Sequence, residues 1–362
     1  MKRVTLVTGH YWKSKRKAGF HWLADAYRGL GWEVLFFTAP ISFLSKTAGN
    51  YRFDYPIKEE KAKFLKKDPS LYSFIHYTPW HVVNLRSNLL NTITHPFTKL
   101  YEKYDFSRSH EFIEKSDLII FESTAALLLF DKFKRLNSKA KFVYRMSDNL
   151  RMLKVHPSLI KYEESIIEKF DLVSVPSKFM YDSFKEIKNL ELNYHGINKS
   201  CFDKSEKNPF KKLINFVFVG NDKFDREFLG HAMTVNNNWN FHIIGPISKI
   251  PKKANVITYG EMPFQETVSY LQHATAGLHT VIYKEGAESL TDSLKVHQYT
   301  YCQLPIIAPE FLKTNRKHVF YYHPSNPASI KEALIHALNY ENHLIDKEQV
   351  CSWEDLAQTL CS

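Results

Sequence analysis

The stretch VTLVTGHYWKSKRKAGFHWLADAYRGLGWEVLFFT, residues 4–38, carries the first fold signal. Residues 4–8 form a short apolar run of strand character. A basic loop, KSKRKAG, follows, and then Phe20, Trp22, Leu23, Ala26, Tyr27 and Leu30 recur at helical spacing. Gly29 and Gly31 mark the helix end, and 32–38 is a second apolar run. Strand, helix, strand is the unit of a parallel sheet, because parallel neighbours need a crossover. No GxGxxG opens the helix, which argues against a nicotinamide or flavin site at this turn.

Outward from this unit the alternation resumes. Strands are expected at 117–121, 141–145, 172–175 and 191–194, with helices at 123–134, 158–169 and 177–187. Residues 40–110 show no clear period, and the run KEEKAKFLKKDP (58–69) reads as a short surface helix. HGINKS (195–200) turns the chain outward, and the polar residues to 212 read as a linker. A second series follows. Its strands are expected at 215–220, 240–245, 255–259, 276–280 and 304–308, and its helices at 224–234, 263–274, 293–302, 329–338 and 353–360. The expectation is an α/β protein of two Rossmann-like domains facing each other across a cleft, divided as 1–198 and 199–362. The last helix is a candidate to pack back on the first domain.

Bulk numbers agree. A chain of 362 residues exceeds what one core usually supports. No apolar run reaches the ~18 residues of a membrane span, and MKRVTLVTGH turns polar too early for a signal peptide; a cytoplasmic location is expected. Cys201, Cys302, Cys351 and Cys361 have no CxxC spacing and no clustered histidines, so neither metal nor disulfide is expected. The net charge of +11 is uneven: residues 1–200 hold 33 Lys+Arg against 21 Asp+Glu, and the remainder 16 against 17. That asymmetry fits a polyanionic surface, either nucleic acid or an anionic membrane leaflet. Residues 11–22 and 58–81, basic and aromatic together, are the candidate membrane segments.

Candidate chemistry sits at strand exits. In KFVYRMSDNL (141–150) a strand ends at Arg145 and Asp148 follows. Taken alone, Asp148 reads as the cap of the next helix. The alternative is a general base at a carboxyl edge, where open α/β sheets build their sites. His10 stands at the exit of the first strand. In the second half, VFVGNDKFD places Gly220 at a strand end and VITYGEM places Gly260, Glu261 and Met262 at another. In ESLTDSLKVHQYTYCQLP, Ser293 and Lys295 open a helix whose free N–H groups and dipole favour anions, and Gln298 shares a face with Lys295.

LIIFESTAALLLFDKFKRLNSKAKFVYRMSDNL, HGIN, FVGNDKFD, FHIIGP, VITYGEM and DSLKVHQY, in this order, together with TGHYWKSKRKAGFHW, resemble the xanthan glucuronosyltransferase (GumK) family. The resemblance is thinnest over 40–110 and beyond about 310. It implies a GT-B fold and an inverting, metal-independent transfer of a sugar from a UDP-sugar. The implied acceptor is a polyprenyl-diphosphate-linked oligosaccharide at the inner face of the cytoplasmic membrane. The family's base falls on Asp148, and its nucleotide contacts on Glu261, Met262, Ser293, Leu294, Lys295 and Gln298. Gly220 joins them from the strand pattern, and His10 and Arg145 are acceptor-side candidates, Arg145 as the charge that keeps Asp148 ionised. This chain has Asp222 and Leu294 where the family has methionine, and Asn198 where it has aspartate. No cofactor is implied. The rival expectations are a sugar-nucleotide epimerase on a related frame, a basic nucleic-acid-binding module, and a catalytically dead homologue.

Overall fold

The computed structural model describes residues 1–14, 17–47, 57–220 and 223–362. They form two compact units, Met1–Tyr194 with Trp353–Ser362, and His195–Ser352.

The first unit runs β1 (Arg3–Thr8), α1 (Gly19–Gly29), β2 (Glu33–Ser42), α2 (Phe43–Thr47), α3 (Ile57–Glu60), β3 (Phe64–Asp68), β4 (Leu71–Thr78) and α4 (Asn88–Tyr101). It continues with α5 (His110–Glu114), β5 (Leu118–Glu122), α6 (Phe130–Leu136), β6 (Lys141–Arg145), α7 (Pro157–Ile166), β7 (Leu172–Val175), α8 (Lys178–Ser183) and β8 (Leu190–Leu192). The strands form one sheet in the order β3-β4-β2-β1-β5-β6-β7-β8, parallel except for β3. Central strands such as β5, LIIFE, are buried along their whole length, as parallel strands covered on both faces must be.

Residues 58–69 depart from the expected helix. Only Ile57–Glu60 is helical, and β3 pairs antiparallel with β4. Phe64 stacks on Tyr72 at 5.4 Å, and Asp68 Oδ1 accepts the Ser70 N–H at 3.1 Å in the turn. Lysines mimic a solvated helix in sequence, but they also suit an edge strand, where charge blunts further pairing.

The second unit contains α9 (Lys199–Phe202), β9 (Asn215–Val219), α10 (Arg226–Val235), β10 (Asn240–Ile244), β11 (Val256–Gly260), α11 (Phe264–His273) and β12 (Ala276–Leu278). After these come α12 (Leu294–Tyr301), β13 (Ile306–Pro309), β14 (Val319–Tyr322) and α13 (Pro327–Leu338). The parallel sheet order is β11-β10-β9-β12-β13-β14. Strand β14 lies outside the expected series, because VFYY is short and only half-buried at the sheet edge. Residues 195–212 are not a bare linker: Ile197 and Phe202 enter the core formed with Val217, Leu271 and Tyr299.

The last helix, α14 (Trp353–Cys361), belongs to the first unit. Its buried face is Trp353, Leu356, Ala357 and Leu360, and Tyr27 of α1 donates to the Ala357 carbonyl at 3.0 Å.

Candidate active site

In open α/β sheets, ligands bind outside the carboxyl ends where the strand order reverses. In the first unit the reversal lies between β1 and β5. Glu122, the last residue of β5, is buried there. It accepts hydrogen bonds from Thr8 Oγ1 at 2.5 Å and Gly9 N–H at 3.1 Å, and its other oxygen lies 3.4 Å from His10 Nε2. Burial favours a raised pKa, but His10 and these donors outweigh it and hold the carboxyl below the usual range.

Asp148 lies one strand over, three residues past β6, and is exposed. Its backbone N–H donates to Ser123 Oγ at 2.9 Å, which ties the β6 exit to the β5 exit. The next helix, α7, is capped by His156 instead. The helix-cap expectation is therefore overturned, and Asp148 stands as an accessible carboxylate at a carboxyl edge.

Arg145 does not join it. The side chain is buried and donates to Ser174 Oγ at 2.7 Å and to the carbonyls of Asn193 at 2.6 Å and Tyr194 at 3.4 Å. Burial lowers its pKa to about 9. Neither acceptor contact nor support of Asp148 fits that position; Arg145 anchors the chain where the first unit ends.

In the second unit the reversal lies between β9 and β12. Gly220, just past β9, has its N–H on the Ile244 carbonyl at 3.0 Å, and Gly245 N–H reaches the Gly260 carbonyl at 2.7 Å. Gly245 has φ +137°, and a Cβ there would fall 1.7 Å from the Gly220 carbonyl oxygen, so only glycine fits. These contacts lock three strand exits together. Glu261, exposed, and Met262, packed on the core, follow directly from Gly260. A cleft of about 760 Å³ opens beside them, lined by Gly245, Ile247, Lys249, Pro251, Lys252 and Gly260 among others.

Lys295 meets this platform from α12. Its ammonium lies 4.2 Å from the centre of the Phe218 ring and 3.0 Å from where a Gly220 Cβ would stand. Burial, and then the neighbouring Lys223 charge, lower its pKa to about 7. Among the described residues no carboxylate pairs with it. Asp222, where the family has methionine, lies outside the described residues. Ser293 is the N-cap of α12 but makes no side-chain cap bond. Leu294 packs on the core, and Gln298 is buried one turn along.

Two neighbours escaped the sequence. His279 and Thr280 follow β12, and the imidazole Nε2–H of His279 donates to the Leu290 carbonyl at 3.0 Å. His279 Nδ1, Thr280 Oγ1 and Ser293 Oγ are buried without a hydrogen-bond partner among the described residues. Buried polar atoms rarely stay so unless a ligand or water completes them. Glu122 also went unmarked, although an acid closing the apolar run LIIF was the available signal.

A half-buried cation beside a helix N-terminus and a glycine floor is chemistry suited to a diphosphate. Comparisons with known proteins bear on family and fold. Residues 6–176 match the family described as glucuronosyltransferase GumK, N-terminal domain. The N-terminal half of this chain is a GumK-family domain. The resemblance drawn from the sequence is borne out. The UDP-glucuronate:glycolipid 2-beta-glucuronosyltransferase of Xanthomonas campestris pv. campestris is 27% identical over 355 residues, 97% of this chain and 87% of the relative. Sucrose-phosphate synthase from Thermosynechococcus elongatus superposes with a TM-score of 0.66 at 14% identity, covering 99% of this chain and 97% of that one. Anabaena HepE in complex with UDP and glucose gives 0.61 at 11%, covering 100% and 95%. At such identities the likeness speaks for fold alone, and the chain has the GT-B fold expected from its sequence.

Proposed function

We propose that this protein, whose N-terminal half matches the GumK family, transfers a glucuronosyl unit from UDP-glucuronate to a lipid-linked oligosaccharide, with inversion at the anomeric carbon. The carrying observation is Lys295, a cation with a lowered pKa at the N-terminus of α12, set against Gly220, two positions from the Ser293 hydroxyl, which has no hydrogen-bond partner among the described residues. The diphosphate lies on Lys295 and the helix N-terminus, the uracil near Glu261–Met262, and the sugar hydroxyls complete His279 and Thr280. Asp148 removes the proton from the acceptor hydroxyl, whose oxygen attacks the anomeric carbon while the UDP oxygen departs. Lys295 and the helix N–H groups meet the charge that develops on UDP, so no metal is needed, and a chelator leaves the rate unchanged. The test is transfer of labelled glucuronate from UDP-glucuronate to membrane glycolipid extracts. Wild type is expected to transfer, and Asp148→Asn to lose ~10²-fold or more in kcat while still binding UDP. Unchanged turnover in Asp148→Asn rules out this base.

The acceptor's lipid calls for a membrane surface. Among the described residues no helix is long and apolar enough to span one. The proposed contact is α4. Its inward side carries Asn91 and Thr98, both buried, with Tyr101 in the core at its end, and Asn91 bonds Asn84 and the Leu85 N–H. Its outward side carries Leu89, 70% exposed, Leu90 and Ile93, 57% exposed, with Arg86, Lys99 and Lys103 nearby in sequence. Apolar residues turned outward beside lysines suit an anionic bilayer. In the segments that composition favours, Lys17 lies over Trp22, Lys61 over Tyr77 and Lys67 over Trp12, and these rings are not freely exposed. Their aromatics are occupied within the fold.

A further inference from the structure

The buried carboxylate of Glu122 has no part in the scheme above, yet it sits at the strand-order reversal of the first unit, where a ligand is expected. One of its oxygens is taken by Thr8 Oγ1 and Gly9 N–H, and the other faces His10 Nε2 at 3.4 Å. Thr8 Oγ1 in turn accepts the His10 N–H at 3.2 Å. Backbone and side chain of the β1 exit are thus both referred to one carboxylate. Asp148 emerges from the same carboxyl edge, tied to Ser123, the residue after Glu122.

We propose that Glu122 is a positioning residue that fixes the Thr8–His10 turn and holds His10 as a cationic hydrogen-bond donor to the acceptor sugar beside Asp148. This rests on the acceptor being bound at the first unit. The tautomer follows from the geometry: a carboxylate opposite Nε2 keeps the proton on Nε2, so Nδ1 accepts in the neutral ring and donates in the imidazolium. The acceptor is then held by a donor only while His10 is charged.

Among the described residues, these groups around His10 fit this role. Glu122 of β5 favours the charged ring. His21 of α1, with its ring 5.5 Å away, donates from Nε2 to the Tyr11 carbonyl at 2.7 Å and accepts the Ala18 N–H on Nδ1. Burial lowers its pKa to about 4, so it stays neutral. Lys17, which acts on His21, pairs with Asp25 at 2.5 Å. Asp148 stands beyond Ser123.

The test combines histidine NMR titration with acceptor kinetics. Glu122→Gln keeps acceptors for Thr8 and Gly9 but removes the charge, and should lower the His10 pKa by about one unit. It should raise acceptor KM about tenfold at pH 7.5, with recovery near pH 6 and little change in kcat. Glu122→Asp should restore wild-type behaviour in part. His10→Gln, at an accessible turn, should raise acceptor KM and remove its dependence on pH. An unchanged His10 titration in folded Glu122→Gln overturns the proposal, as does an unchanged acceptor KM in His10→Gln. If wild type transfers nothing, the proposed function fails, while the titration still decides whether Glu122 holds His10 charged.

Discussion

Lys295 gives this protein a pH dependence whose sign can be worked out. Its pKa is about 7 in the fold, against an ordinary 10.5. Between those values the unfolded chain binds the extra proton, so stability rises with pH over that window. The cost of burying the charge is fully present below about 7 and is gone above about 10.5. A bound diphosphate reverses the preference, because it favours the protonated amine. UDP-glucuronate, whose phosphates do not titrate near neutrality, should therefore bind with proton uptake above pH 7 and more weakly as pH climbs. Calorimetry in buffers of different ionisation enthalpy measures the uptake; finding none at pH 8 would remove Lys295 from the diphosphate site. Gly245 offers a test of the platform. Gly245→Ala combines a disfavoured φ with a collision on the Gly220 carbonyl and should cost at least about 2 kcal/mol, read by urea denaturation.

At the scale of elements, α4 and β3 show how far composition can be trusted. Lysine-rich segments draw attention to 11–22 and 58–81 as membrane contacts, but their rings are taken up by cation–π partners and by the β3–β4 hairpin. In α4 the pattern is largely inverted, with Asn91 and Thr98 buried beside Tyr101 and with Leu89, Leu90 and Ile93 outward, and only the packing reveals which side faces solvent. Leu89→Glu with Ile93→Glu should weaken binding to vesicles containing anionic lipid about tenfold or more, while UDP binding stays unchanged. Co-sedimentation equal to wild type would move the membrane contact elsewhere. The basic residues of the same unit would add roughly 1 kcal/mol each near such a surface, so binding should also fall with salt.

For the whole molecule, the decisive feature is that the chain closes on its first unit through α14. Trp353 buries its ring against Gly19, 3.4 Å from the point where a Cβ on that glycine would stand, and Leu356 and Leu360 fill the same face. Trp353→Ala should cost about 3–5 kcal/mol and should appear in the unfolding of the first unit. Hydrogen exchange would locate the loss: protection should fall in β1 and α1 while β9 and β10 keep theirs. Equal loss in both units would mean that they unfold as one.

The sequence by itself determined the parallel α/β architecture, because buried strands and amphipathic helices have periods that survive without coordinates. It also carried the GumK resemblance, and it marked Asp148 and Lys295, since polar residues at the ends of apolar runs stand out locally. Tertiary structure alone decided what those residues touch. Arg145 and Asp148 are three positions apart, yet one is sealed among carbonyls and the other is open to solvent. Glu122 and His10 are far apart in the chain and meet only because β1 and β5 are neighbours in the sheet. The physical reason is that periodicity is a property of adjacent residues, whereas burial, charge pairing and the facing of strand ends depend on which segments the sheet order brings together.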